Sequence, residues 1–167
     1  MTESDMEQLT IQLNQQMKSC AFTGHRTLDK DFSQKLLKKY VLALIDDGVE
    51  IFYTGMAMGF DLIAAETVLS CKKKFPNVRL IACIPYYGQE RRFSEKDKDR
   101  YAAILKKVDE KVLLSTEYKK SCFLERNRYM CDRADVLVAY LRKEEGGTAY
   151  TVRYFQKTKP QKRIVLL

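Results

Sequence analysis

Six short apolar runs alternating with five segments of helical period predict a three-layer α/β/α sandwich around a doubly wound, mostly parallel sheet of about six strands. Three observations carry this reading. Runs such as "VRLIACIP" and "DVLVAYL" are apolar at consecutive positions, which suits strands covered on both faces. The segments between them repeat apolar residues every three to four positions. Glycines cluster where strands hand over to helices.

The elements follow in order. "SCAFT" (19–23) reads as a short buried strand. Residues 31–47 follow helical spacing through Phe32, Leu36, Leu37, Tyr40, Val41, Leu44 and Ile45, with Gly48 suited to the C-terminal end. "EIFYT" is the second strand, and "FDLIAAETVLSCKKKF" the helix after it, stopped by Pro76 and Asn77. "VRLIACIP" is the third strand. "SEKDKDRYAAILKKV" is helical, with Ser94 as N-cap and Asp97 as its capping-box partner. "EKVLLS" is a strand, and a helix follows near 121–133. "DVLVAYL", a helix over 148–157 and a final strand "KRIVLL" complete the pattern. Residues 19–167 thus read as one domain, with 1–18 as an extension that is an extra helix or frayed chain.

The 167 residues suffice for one packed core, and 46% apolar with 11% aromatic residues excludes a disordered chain. No apolar run approaches the roughly 18 residues of a membrane span. The N-terminus lacks the basic and apolar regions of a secretory signal. Five cysteines without CxxC spacing point to reduced thiols in a cytoplasm. A single histidine, His25, argues against a His-rich metal site, and nothing in the pattern names a metal or a cofactor. The net charge of +8 concentrates late: "RKEEGGTAYTVRYFQKTKPQKR" holds seven basic and two acidic residues. That charge reads as solvated helix faces or as attraction for phosphorylated ligands or nucleic acid.

In a doubly wound sheet, ligands bind beyond the carboxyl ends of the strands where strand order reverses. Gly24, Gly55, Gly59, Gly88, Gly146 and Gly147 all fall at such ends. Glycine permits close backbone approach and positive φ, and a helix beginning beside it directs amide groups and a positive dipole end at its occupant. Phosphate suits that position. The strongest case is Gly146–Gly147 before Thr148, whose hydroxyl can cap the helix and donate to an anion. No GK[ST] or G-x-G-x-x-G occurs, so neither a Walker A loop nor the dinucleotide fingerprint is present.

Together "FTGHR", "TGMAMGFDLIAAE", "RNRYMCDRADVLVAYL" and "GGTAYTVRYF" resemble the YpsA-like branch of the SLOG superfamily. That superfamily groups Rossmann-like nucleotide-binding domains related to the DNA-processing protein DprA and to the Lonely Guy phosphoribohydrolases. The resemblance covers Cys20 to Leu167 and implies a Rossmann-like sheet with a nucleotide-derived ligand. Related domains commonly dimerise, so a homodimer is an expectation of the same kind. The Lonely Guy enzymes resemble PGGxGTxxE at the fifth strand's end, where the glutamate contributes to N-glycosidic cleavage. Here Glu144 and Glu145 precede the glycines and Thr151 stands three places after Thr148. The anion-holding part is kept and the acid is missing.

Arg26 reads as a phosphate or ribose clamp, or as a surface ion pair. His25 touches ligand or bonds loop backbone. Asp61 binds a ribose hydroxyl or a ligand amine, or caps its helix. Glu66 is a second candidate acid, or packs against Arg26 or Arg128. In "PYYGQERRF", Tyr86, Gln89 and Arg92 are expected to stack a base and hold a phosphate, or to form a surface loop. Asn127 lowers helix propensity, which suggests a specific bond, and by resemblance it and Arg126 lie at the site. Met56 and Met58 line the pocket as apolar walls or pack under the loop. The leading expectation is a cytoplasmic protein that senses or sequesters a nucleoside monophosphate or a compound related to ADP-ribose or NAD. One alternative is an N-glycosidic hydrolase using Asp61 or Glu66. DprA-like nucleic-acid binding is a third, against which lysines interspersed with acids in "SEKDKDRYAAILKKVDEK" argue.

Overall fold

The structure, a computed structural model, describes residues 1–16 and 18–167, with side chains described for 1–9 and 18–167. Six parallel strands form one sheet: β1 (Ser19–Gly24), β2 (Ile51–Thr54), β3 (Arg79–Ile84), β4 (Glu110–Leu113), β5 (Val136–Tyr140) and β6 (Arg163–Leu166). Their order is β4-β3-β2-β1-β5-β6, so the winding reverses between β1 and β5. The fold is the Rossmann-like α/β sandwich that the alternation predicts. Five helices connect the strands: α2 (Gln34–Asp46), α3 (Phe60–Lys72), α4 (Glu95–Leu105), α5 (Cys122–Arg133) and α6 (Gly147–Thr158). A helix α1 (Glu3–Gln16) precedes them, and a short 3-10 helix covers Gln89–Arg92. Met17, within the expected extension, lies outside the described residues.

The two-residue period of the strands divides the core into two halves. Phe22, Phe52, Leu80 and Val138 face one layer, where Leu37, Val41, Phe60, Val68 and Ile104 of α2, α3 and α4 cover them. Their chain neighbours Ala21, Tyr53, Ile81 and Leu137 face the other, against Met130, Cys131, Val152 and Phe155 of α5 and α6. Consecutive apolar residues are needed because both faces are dry. The edge strand β4 instead carries exposed Glu110 and Lys111, which discourage pairing with another edge.

Local chemistry sets where the helices begin and end. The helix expected from residue 31 starts at Gln34, because Ser33 is extended and accepts a hydrogen bond from the Leu36 amide (3.0 Å). Gly48, at φ +109°, follows that helix as expected. Ser94 caps α4 by accepting from the Asp97 amide (3.2 Å), yet the Asp97 carboxylate pairs with Arg100 (3.1 Å), so only half of the capping box forms. α3 stops at Lys72, three residues earlier than its apolar pattern suggests, and a turn closed by Phe75 N–H to the Cys71 carbonyl (3.0 Å) precedes Pro76. All five cysteines are unpaired and buried. Among the described residues, no helix is long and apolar enough to cross a membrane.

Candidate functional site

Two adjoining cavities open at the carboxyl ends of the central strands. The first, of about 430 Å³, lies over the reversal between β1 and β5. Its walls include Gly24 at the end of β1, His25 and Arg26 after it, Asp61 of α3, Arg126 and Asn127 of α5, and Lys143, Gly147 and Thr148 after β5. The second, of about 500 Å³, lies over β3 and contains Met58, Tyr86, Arg92, Phe93 and Tyr118. Arg26, Ala57 and Phe123 belong to both.

Asp61 is the most unusual side chain of the polar cavity. It is 5% exposed. Its Oδ2 accepts from the Ala57 amide (3.3 Å), while Oδ1 has no hydrogen-bond partner among the described residues. Burial raises its pKa to about 6, with Arg126, the Ala57 amide and Arg26 acting in the opposite direction. A buried acceptor without a donor is costly unless another group supplies one. The Asp61 backbone is fixed by the Thr54 hydroxyl, which donates to its carbonyl (3.1 Å). The helix cap itself is Gly59, so Asp61 does not serve as an N-cap.

Beneath Asp61, the buried Arg126 donates to the Gly55 carbonyl and, through Nε, to Asn127 Oδ1 (2.8 Å). Burial lowers its pKa and Asp61 raises it. Asn127 therefore has the specific bond that its helix penalty suggested, made to its own neighbour. Gln89 Nε2 donates to the same Gly55 carbonyl (3.2 Å), so its amide is engaged by the protein. Across the cavity, α6 begins at Gly147, and its first backbone acceptor, the Gly146 carbonyl, binds the Tyr150 amide (3.0 Å). The amides of Gly147, Thr148 and Ala149 have no intrahelical acceptor. No acidic residue occupies that first turn, and Lys143 and Arg26 make no ion pair among the described residues. The unpaired amides and the two basic side chains give this corner a positive local charge.

His25 carries out the backbone role expected as its alternative. Its Nε2 accepts from the Arg142 amide (2.8 Å), which leaves the hydrogen on Nδ1. Burial, then Lys143, lower its pKa, Arg142 adds to this and Asp29 opposes it. The ring packs edge-on to Tyr140 (5.8 Å), and its carbonyl accepts from the Phe60 amide (3.1 Å).

Several expected residues stand elsewhere. Glu66 lies on α3 beside α4 and pairs with Arg100, away from both cavities, so the structure does not place it as a catalytic acid. The sequence alone does not reveal a partner 34 positions away. Met56 is fully buried in the core and lines neither cavity, whereas Met58 does line one. Gly24, Gly55 and Gly59 are glycines for contact with protein. An added Cβ would lie 2.4 Å from the Phe60 ring at Gly24, 2.7 Å from the Arg126 guanidinium at Gly55 and 2.2 Å from the Arg26 carbonyl at Gly59. Gly146 and Gly147 differ, having nothing among the described residues within 4 Å of such an atom. Thr148 is buried in the first turn of α6 and does not cap it; Gly146 holds that position.

Sequence reasoning missed Phe123, Tyr118 and Lys143. Lys143 had a signal, as a base four residues ahead of Gly147. Phe123 had none, because only the fold brings the start of α5 beside Arg26, whose guanidinium lies 5.1 Å over its ring. No cluster of three or more His, Cys, Asp or Glu suited to a metal occurs among the described residues.

The family model for YpsA, described as the YspA SLOG family, matches residues 20–166. The chain belongs to this family. It is 26% identical over 158 residues to the UPF0398 protein YpsA of Bacillus subtilis, covering 87% of this chain and 88% of that one. With the UPF0398 protein BH1768 of Halalkalibacterium halodurans it shares 29% over 133 residues, covering 78% and 70%. Among solved structures, DprA of Streptococcus pneumoniae superposes with a TM-score of 0.63 at 18% identity, over 92% of this chain and 51% of that one. DprA of Helicobacter pylori, solved for its single-stranded DNA binding mode, gives 0.62 at 21%, over 93% and 67%. This chain thus spans about half the length of the pneumococcal protein, and the likeness is one of fold.

Proposed function

We propose that this chain binds a nucleotide or nucleotide derivative, such as a nucleoside monophosphate or a compound related to ADP-ribose or NAD, and acts by sensing or sequestering it. The unpartnered Oδ1 of Asp61, opposite the first turn of α6, carries the reading. A phosphate accepts from the α6 amides and the Thr148 hydroxyl while Lys143 and Arg26 balance its charge. A ribose hydroxyl donates to Asp61 Oδ1 and supplies the missing hydrogen bond. Gly147 leaves the backbone bare where the anion sits.

Asp61 also favours a second reading, cleavage of an N-glycosidic bond. A carboxyl group raised to about 6 is suited to proton transfer near neutral pH. Single-stranded DNA, the subject of the Helicobacter pylori structure, is a third occupant to be tested.

A thermal-shift screen of AMP, NAD and ADP-ribose tests the primary reading. A ligand present at 100 times its dissociation constant adds about 2.7 kcal/mol to stability. Asp61→Asn is expected to weaken binding about tenfold, as a charge-assisted bond becomes a neutral one. If no nucleotide raises the melting temperature and single-stranded DNA is retarded in a gel at low salt, the reading is wrong. Free base released by the wild type and absent with Asp61→Asn establishes the hydrolase instead.

A further inference from the structure

We infer that the cavity over β3 is a ring-accepting annex of the polar cavity, so that the ligand class is a nucleoside phosphate with its base in place rather than a bare sugar phosphate. This rests on the preceding reading, in which phosphate and ribose occupy the polar cavity. The two spaces adjoin through Arg26, Ala57 and Phe123, so one molecule can reach both. The annex is about 500 Å³, within the span of about 300–1,000 Å³ usual for small-molecule sites.

Its lining has the chemistry of a stacking site. Tyr86, Tyr118 and Phe123 meet edge to face, with centroids 5.3 Å apart for Tyr86–Tyr118, 5.9 Å for Tyr86–Phe123 and 6.4 Å for Tyr118–Phe123. Tyr118 is nonetheless 62% exposed, so its ring stands open to solvent beside two others and offers a face on which a planar group can stack. The walls are held in place. The Tyr87 amide donates to the Ser115 carbonyl (3.1 Å), and the Ser115 hydroxyl donates to the Glu117 carbonyl (2.6 Å), which joins the two loops that carry Tyr86 and Tyr118. Gly88, at φ +86°, turns the first loop back into the 3-10 helix. Arg26 stands at the threshold over Phe123, where its charge meets phosphate on one side and a π face on the other.

The test is isothermal titration of the full chain with AMP and with ribose 5-phosphate, which differ by the base, with the AMP recovered and checked for integrity. The wild type is expected to bind AMP about tenfold or more tighter, the effect of one base on an aromatic platform. In Tyr86→Ala, and separately in Tyr118→Ala, the ratio of the two affinities is expected to fall towards one. Tyr118 is exposed enough that its variant folds even if that of Tyr86 does not. Equal affinities in the wild type overturn the annex and leave the phosphate and ribose site standing. A preference for AMP that survives both substitutions places the base elsewhere and overturns it as well. Failure of both compounds to bind the wild type overturns the reading on which the annex rests.

Discussion

At the joint between β2 and α3, protein atoms occupy the space beside the glycines: the Arg126 guanidinium at Gly55 and the Arg26 backbone at Gly59. At the joint between β5 and α6, the space beside Gly146 and Gly147 is open and forms one wall of a cavity. Both joints begin a helix on a glycine N-cap with no side-chain cap, at φ +81° for Gly59 and +100° for Gly146. The comparison separates two uses of one residue. In the first joint, glycine lets the chain pack tightly and hold Asp61 in place. In the second, it keeps the backbone bare. The two uses respond differently to a methyl group.

The largest effect belongs to the filled joint. Gly59→Ala combines a left-handed φ with a Cβ 2.2 Å from the Arg26 carbonyl, a backbone atom that cannot move aside. A loss of roughly 3 kcal/mol is expected in urea denaturation, from strain and overpacking together. Stability within 0.5 kcal/mol of the wild type, about the tolerance of an ordinary surface site, would show that the Arg26 loop yields and that the joint is not filled in the sense argued. Gly55→Ala follows at about 2 kcal/mol, because its Cβ meets a side chain rather than backbone. That side chain is the buried Arg126, whose bond to the Gly55 carbonyl must break or shift. A loss below that of Gly59→Ala but clearly above the surface range, measured in the same titration, sharpens the ranking.

The charge held by the filled joint can be tested by pH. Asp61 has its pKa raised by burial to about 6, above the ordinary carboxylate value in the unfolded chain. Between those two values the folded state binds more protons than the unfolded one. Stability from this group therefore grows as pH falls through 6 and is absent well above it. The difference between wild type and Asp61→Asn cancels the other titrating groups. It is expected to move by about 1 kcal/mol in favour of the wild type from pH 7 to pH 5. A difference that stays flat would mean that Asp61 is better solvated than its burial implies.

How much of this could be read in the sequence follows from the range of each interaction. Strands such as β3 and β5 were legible because burial on both faces writes an apolar run into consecutive residues. The cap at Ser94 was legible because it depends on a residue three positions away, and its bond is present, whereas the start of α2 was read three residues early because the cap at Ser33 was not recognised. Arg26, Asp61, Gly147 and Thr148 line one cavity, as their places at the carboxyl ends of strands predict, and Asn127, which only the family resemblance pointed to, lines it too. What was lost is long-range. Glu66 meets Arg100 and the Gly55 carbonyl meets Arg126 across 34 and 71 positions, and no local pattern announces either. Met56 was misplaced because glycine neighbours suggested a loop, while its backbone at φ +59° turns the side chain into the core. The glycines stand where the sequence put them, with protein filling the space beside Gly55 and Gly59 and open space beside Gly147.

The smallest effect on folding is expected at the open joint, where the effect on binding is expected to be clear. Gly147 has no positive φ to preserve, and a Cβ added there has no atom within 4 Å. As the first residue of α6 it also gains slightly in helix propensity as alanine. Gly147→Ala should therefore unfold within about 0.5 kcal/mol of the wild type. Its methyl group nonetheless stands at the wall of the cavity beside the free amides of the first turn, where the proposed phosphate is held. Affinity for ribose 5-phosphate should fall about tenfold, as expected when close backbone approach is blocked. The two measurements must diverge if the comparison is right. If binding is unchanged along with stability, Gly147 serves only the turn that Gly146 begins, and the anion must lie farther from α6, towards Arg26 and Lys143.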